Sequence, residues 1–251
     1  MENNLTIEEA YHKALEYKAN TQVIGVQKEK ILHRTLKYFF CNNDAYHEIK
    51  VQKLTKGYLY ADIKIGTTIY EIQTRSFNAL REKLDEFLKQ YQVTIIYPIA
   101  YHKNIFKLDE NRCLVSQKKS PKTGNPLEIF YELYKIKSYL SHPNLSFKVI
   151  MIDMDEYRQS VEKKHFRSSG YIRQVQIPKK IERIIDLTNQ EDYLKLLDEY
   201  RLSEPFISTD FAKITHLTMK KASVALNILT SIGVLTRIGK IKNSYVYKKN
   251  R

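Results

Sequence analysis

A chain reversal at Gly66-Thr67 constrains this sequence more than any other single feature. Two alternating apolar and polar runs, GYLYADIKI and TTIYEIQTRS, flank the tetrapeptide Ile65-Gly66-Thr67-Thr68. Glycine in the first central position suits a two-residue hairpin turn, because the left-handed backbone required there carries no Cβ penalty for glycine. Counting outward from the turn pairs Ile65 with Thr68, Lys64 with Ile69, Ile63 with Tyr70 and Asp62 with Glu71. The last pair is expected to be a non-hydrogen-bonded one, with Cα atoms roughly 4.5 Å apart. Gln73 stands two positions beyond Glu71 and shares its face. The hairpin therefore gathers Asp62, Glu71 and Gln73 into one patch, with Lys64 alongside.

Two carboxylates facing each other across a strand pair repel, so pairing alone gives no reason to place them there. A divalent cation removes that penalty. Mg²⁺ (or Mn²⁺) prefers oxygen ligands and keeps several waters, which suits two carboxylates, a backbone carbonyl and a phosphate. Such an ion polarises a phosphodiester and lowers the pKa of a bound water. The bland alternative is an exposed sheet face whose charges are solvated, or balanced by Lys64.

The flanking pattern gives the patch a setting. A helix over GVQKEKILHRTLKYFF has an apolar side of Val26, Ile31, Leu32, Leu36 and Phe39. The strands HEIKVQKL, GYLYADIKI and TTIYEIQTRS follow, then the helix NALREKLDEFLKQY and the strand VTIIYPIA. Strands, a crossover helix and another strand predict an α/β sheet with antiparallel and parallel neighbours. This order, with Asp62, the run Glu71-Ile72-Gln73 and a helix from Asn78, resembles the PD-(D/E)XK nuclease superfamily over residues 20–100. The resemblance implies a restriction-endonuclease-like mixed sheet flanked by helices. It makes Asp62 and Glu71 metal ligands, the Ile72 carbonyl a third, and Glu29 on the leading helix a further acid. The pattern departs from the family in two places: Ala61 precedes the first Asp where proline is usual, and Gln73 stands where lysine is expected. Glutamine orients but does not neutralise, so Lys64 is the expected substitute for the missing cation.

Lys and Arg outnumber Asp and Glu by 42 to 28, for a net charge of +14. That excess favours a polyanionic partner, since neutralised phosphates release counterions. DNA is the expected partner. No membrane is expected, because no helix joins a basic face to a broad aromatic and leucine face and the apolar runs are short. The acidic, polar start MENNLTIEEAYHKALEYKAN is no secretion signal, and Cys41 and Cys113 offer no disulfide framework, so the expected location is cytoplasmic. Seven scattered histidines give no zinc spacing, and no glycine-rich phosphate loop appears.

The C-terminal stretch carries its own signature. A capped helix, FAKITHL, is followed by a second helix after Thr218, in which Ala222, Ala225, Leu226 and Leu229 recur at helical spacing. Gly233 then ends the helix, and two strands follow around the turn GKIKN. This order resembles a winged helix-turn-helix domain. Residues 203–251 hold nine Lys and Arg against two acids, a net of +7 and half the chain's excess. The resemblance places Met219, Lys220, Lys221, Ser223 and Asn227 near a major groove, and Lys240 and Lys242 near phosphates. Winged helices also serve as protein-docking modules, which is the alternative for this unit.

Two basic segments lie between. NRCLVSQKKSPKTGNP (111–126) reads as a loop or hairpin tip whose Lys118, Lys119 and Lys122 either track a backbone or are simply solvated. KKHFRSSGYIRQVQIPKKIER (163–183), with Arg167 and Arg173, reads as a basic arm along DNA. The expected division is a nuclease-like domain at 1–160, a basic arm and helix at 161–200, and the winged unit at 201–251. The expected activity is metal-dependent hydrolysis of DNA phosphodiesters, with Gln73 positioning the nucleophile or the phosphate. The alternative is a non-catalytic DNA-binding regulator whose front domain dimerises, so a homodimer stays open.

Overall fold

The computed structural model describes residues 5–20, 31–161 and 170–250. The chain opens with α1 (Ile7–Asn20), whose start is set by a reciprocal cap: Glu9 N–H donates to Thr6 Oγ1, and Thr6 N–H donates to the Glu9 carboxylate at 2.7 Å. Ile7, Ala10 and Ala14 form its buried stripe. The described part of the second expected helix is α2 (Ile31–Phe40), which turns Leu32 and Leu36 inward. Strands β1 (His47–Gln52), β2 (Tyr58–Ile65) and β3 (Thr68–Ile72) form an antiparallel meander. Helix α3 (Arg81–Phe87) then carries the chain across to β4 (Gln92–Leu108), which lies parallel to β3.

The second half of the sheet is longer. Strand β5 (Leu114–Lys119) folds back on the far end of β4, where β3 has ended. Helix α4 (Ile129–Leu133) leads to β6 (Leu145–Ser160), parallel to β4, and β7 (Tyr171–Leu187) closes the sheet antiparallel to β6. The result is a seven-stranded mixed sheet in the order β1-β2-β3-β4-β6-β7. The chain is thus a mixed α/β protein whose large sheet is flanked by helices.

Apolar layers cover both faces. On one, Leu32 and Leu36 meet Ile63, Ile72, Ile96, Ile150 and Ile152. On the other, Leu84 and Phe87 of α3 and Phe130 and Leu133 of α4 pack over Ile69, Val93, Ile95 and Val149. That second core does not stop at the sheet. It continues through α5 (Gln190–Asp198), α6 (Ser208–Thr215) and α7 (Met219–Ser231), taking in Leu196, Leu197, Phe211, Leu226 and Leu229. Strands β8 (Phe206–Ile207), β9 (Leu235–Ile241) and β10 (Ser244–Lys249) form a small antiparallel sheet, with β10 in the middle. No helix among the described residues is long and apolar enough to cross a membrane.

Three local expectations are corrected. The helix expected within 161–200 is α5, but the described part of the basic arm before it is strand β7, so the sheet runs on through that segment. Its exposed Arg173, Lys179, Lys180 and Arg183 and its Pro178 are what a terminal strand tolerates, and that composition reads as a linker when no partner strand is known. Residues 114–119 of the expected basic loop are a strand that is exposed along its length. The turn of the C-terminal hairpin lies at Lys242-Asn243, because β9 continues through Gly239 to Ile241.

Candidate active site

The hairpin register is the one counted from the turn: Ile65 opposite Thr68, Lys64 opposite Ile69, Ile63 opposite Tyr70. Gly66 has φ +56°, which explains glycine at that corner. Beyond Ile63 and Tyr70 the strands are joined by side chains. The Asp62 N–H donates to Glu71 Oε1 at 3.3 Å, and the Ile72 N–H donates to Asp62 Oδ2 at 2.8 Å. Each carboxylate thus serves the other strand's backbone. Both are deeply placed, with Asp62 8% and Glu71 2% exposed.

Two residues outside the hairpin complete the arrangement. From α3, Lys83 Nζ lies 2.7 Å from Glu71 Oε2. From α2, His33 Nε2 lies 3.0 Å from Asp62 Oδ2. Burial and then the charge of Asp62 push the Glu71 carboxyl up to about 8, with Lys83 opposing both. Burial would raise Asp62 as well. There the His33 bond and charge, the charge of Lys83 and the Ile72 N–H outweigh it, holding Asp62 below its ordinary value. Lys83 is raised because the two carboxylates outweigh its own desolvation. One acid is poised to carry a proton while its neighbour stays ionised.

The sequence-predicted residues divide clearly. Asp62 and Glu71 meet. Gln73 remains on β3's continuation, its N–H on the Ile96 carbonyl, but its side-chain amide donates to the Ser76 carbonyl at 3.2 Å. Lys64 is not the substitute cation: its Nζ donates to the Gly66 carbonyl at 3.0 Å and lies 5.1 Å from the Tyr91 ring. Lys64 belongs to the regular ladder, one residue nearer the turn than the last paired rung, and its stem reaches back over that turn. Lys83 stands beside the pair instead. Lys83 and His33 went unnoticed in the sequence because a helix crossing a sheet is invisible to strand periodicity. The one available signal was that the crossover helix beginning near Asn78 must lay some side chain over the strand before it. Glu29 and Arg167 lie outside the described residues.

No group of three or more His, Cys, Asp or Glu among the described residues is arranged to hold a metal ion. The carboxylate pair is a smaller, hard-oxygen set. Among the described residues both bonds accepted by Asp62 go to Oδ2, and Glu71 Oε1 accepts only the long bond from Asp62 N–H. Those remaining lone pairs, in a pair that repels, suit a cation that needs few protein ligands and keeps its waters.

The residues expected on DNA from the C-terminal unit are only partly free. Met219, Lys220 and Ser223 of α7 are exposed. Lys221 Nζ pairs with Glu128 Oε1 at 2.6 Å, and Asn227 Oδ1 accepts from Lys137 Nζ at 2.8 Å. Helix α7 therefore lies against the α4 region, and an expected groove-reading pair is engaged within the chain. In the hairpin, Lys240 and Lys242 are exposed, with Arg237 and Lys240 over the Tyr245 ring. Lys118 and Lys119 are exposed on β5, Lys122 pairs with Glu128, and Arg173 is exposed on β7.

A mixed α/β sheet with a buried carboxylate pair just beyond the end of a hairpin's ladder defines the class of structure. The chain belongs to the family described as Domain of unknown function (DUF8091), whose profile matches residues 30–188, from the start of α2 to the end of β7. It is also 30% identical over 129 residues to an uncharacterized protein of Treponema pallidum (strain Nichols), a match covering 51% of this chain and 50% of that one. The chain thus spans about half the length of the curated relative it matches. No solved structure matches it.

Proposed function

We propose that this chain is a Mg²⁺- or Mn²⁺-dependent DNA endonuclease of the PD-(D/E)XK type, with a winged helix at its C-terminus. The observation that carries the reading is the crossed pair Asp62 and Glu71, buried together at the point where the hairpin's ladder gives way to side-chain bonds. Asp62, Glu71 and the Ile72 carbonyl would hold the ion, whose chemistry is to polarise a phosphodiester and acidify a water. Lys83 supplies positive charge beside the phosphate, a role that Gln73 cannot fill. His33 orients Asp62 and keeps it ionised. Water attacks phosphorus, the P–O bond to the leaving oxygen breaks, and that oxygen departs with a proton. The element order α5, β8, α6, α7, β9, β10, with β10 central, supports the winged-helix reading.

Plasmid nicking in Mg²⁺ or Mn²⁺ tests the assignment. Asp62→Asn and Glu71→Gln should each reduce the rate by at least about 100-fold, the scale on which single transition-state contacts act. Cutting that survives both changes would place the chemistry elsewhere.

One observation favours a second reading, a non-catalytic DNA-binding regulator. Lys83, His33 and the Ile72 N–H already satisfy much of the carboxylate pair without an ion. On that reading no cation produces nicking, and both variants keep wild-type DNA affinity.

A further inference from the structure

Residues of β4, β6 and β7, with the loop that bears Lys122, line an open cavity of about 260 Å³. Leu32 and Thr74 line its near side, so the cavity begins one residue from His33 and one from Gln73. Thr74 is three residues past Glu71, at most about 10 Å of extended chain. Its polar lining includes Lys103, Ser120, Lys122, Arg173 and Gln176. The volume lies just under the roughly 300–1,000 Å³ of whole-ligand sites, which suits one group of a polymer rather than a free nucleotide.

Two of the cations lining this cavity, Lys103 and Lys122, are held in place by carboxylates. Glu156, 2% exposed, accepts from Lys103 Nζ at 3.1 Å, from Arg158 Nη2 at 2.6 Å and from Gln176 Nε2 at 3.2 Å. Glu128 likewise accepts from Lys122 at 2.7 Å and Lys221 at 2.6 Å. Among the residues that line the cavity, Lys103, Lys122 and Arg173 stand against Glu128, a net of +2. Glu156 and Glu128 are both held below their ordinary value: burial would raise them, and their cationic partners outweigh it. The loop bearing Lys122 is fixed by Gly124, whose N–H donates to the Tyr101 carbonyl at 2.8 Å. A Cβ there would meet the Ala100 carbonyl oxygen at 2.2 Å, so only glycine lets the loop lie this close.

We infer that this cavity is a phosphodiester subsite, in which Lys103, Lys122 and Arg173 grip a backbone phosphate of the DNA strand beside the one at Asp62 and Glu71. The inference rests on the nuclease reading for its ligand. Preorganisation by Glu156 and Glu128 lowers the ordering cost of binding, and the excess cations supply counterion release.

The test is fluorescence anisotropy of the full chain with a labelled DNA duplex, in EDTA, from 50 to 200 mM salt. Lys122→Gln with Arg173→Gln should weaken binding at least about tenfold and flatten the log–log salt slope by about 2. Lys195→Gln, which removes one charge from exposed α5, should leave both unchanged. Lys122 and Arg173 are exposed, and matching melting temperatures verify the fold. A double variant that keeps wild-type affinity and slope overturns the subsite, even when Asp62→Asn abolishes nicking. Lost affinity with flattened slope upholds it, even when no metal yields nicking and the nuclease reading fails.

Discussion

Lys83 Nζ lies 2.7 Å from Glu71 Oε2, so a helix residue neutralises the acid that strand pairing sets against Asp62. The contact eases the problem posed by the hairpin itself, since two carboxylates buried side by side need a cation or a proton between them.

Lys83→Met should therefore expose that problem. Breaking a buried pair from one side commonly costs about 3–5 kcal/mol. Glu71 escapes part of this by binding a proton, so the loss should be clearly smaller at pH 5 than at pH 9. Denaturant titration at both values measures it. Equal destabilisation would assign the role of Lys83 to its stem rather than its charge.

The raised carboxyl has its own signature. With Glu71 pushed up to about 8 by burial and by Asp62, the folded chain keeps a proton that the unfolded chain releases near 4.5. Stability from this group is complete below the unfolded value and is lost as pH rises through about 8. Asp62, held low, titrates below that window. Between pH 5 and 9 the wild-type melting temperature should fall relative to Glu71→Gln, at about 2–4 °C per kcal/mol for a chain of this size. Parallel curves would contradict a proton held on Glu71.

Gly124→Ala should destabilise the protein by about 1–3 kcal/mol, the usual scale of overpacking against atoms that cannot move aside. The obstacle is backbone, the Ala100 carbonyl, so the loop must shift and take Lys122 with it. Thermal melting reads the first effect, and a reduced salt slope of DNA binding reads the second. An unchanged melting temperature would show that the loop relaxes freely.

The docked face of α7 separates its neighbours' roles. Lys220 is exposed while Lys221 is paired with Glu128, so Lys220→Gln should weaken DNA binding several-fold and Lys221→Gln much less. The Lys221 change should alter stability by less than about 1 kcal/mol, since the pair is partly exposed. Anisotropy on the two variants distinguishes them. A Lys220→Gln protein that binds as tightly as wild type would favour a protein-docking role for this unit.

Much of the candidate site was legible in the order of residues. Gly66 set a turn, the turn set a register, and the register put Asp62 beside Glu71. The same logic reached Thr218 as a helix cap and Gly233, at φ +76°, as a helix end. It failed where the deciding neighbour is distant. Proximity in sequence points to Lys64 as the site's cation, whereas Lys83 arrives from the next helix. The charges of β7 read as a basic arm until its pairing with β6 shows them to belong to a terminal strand.

The sequence by itself determined the periodic and short-range features: strand alternation, helix stripes, caps and the hairpin that aligns two acids. Those follow from backbone geometry that each segment carries within itself. Only the tertiary structure decided which cation and which histidine meet the acids, why residue 124 must be glycine, and how α7 seats against α4. These contacts join residues up to 93 positions apart, and their partners are selected by packing across the sheet rather than by any local period.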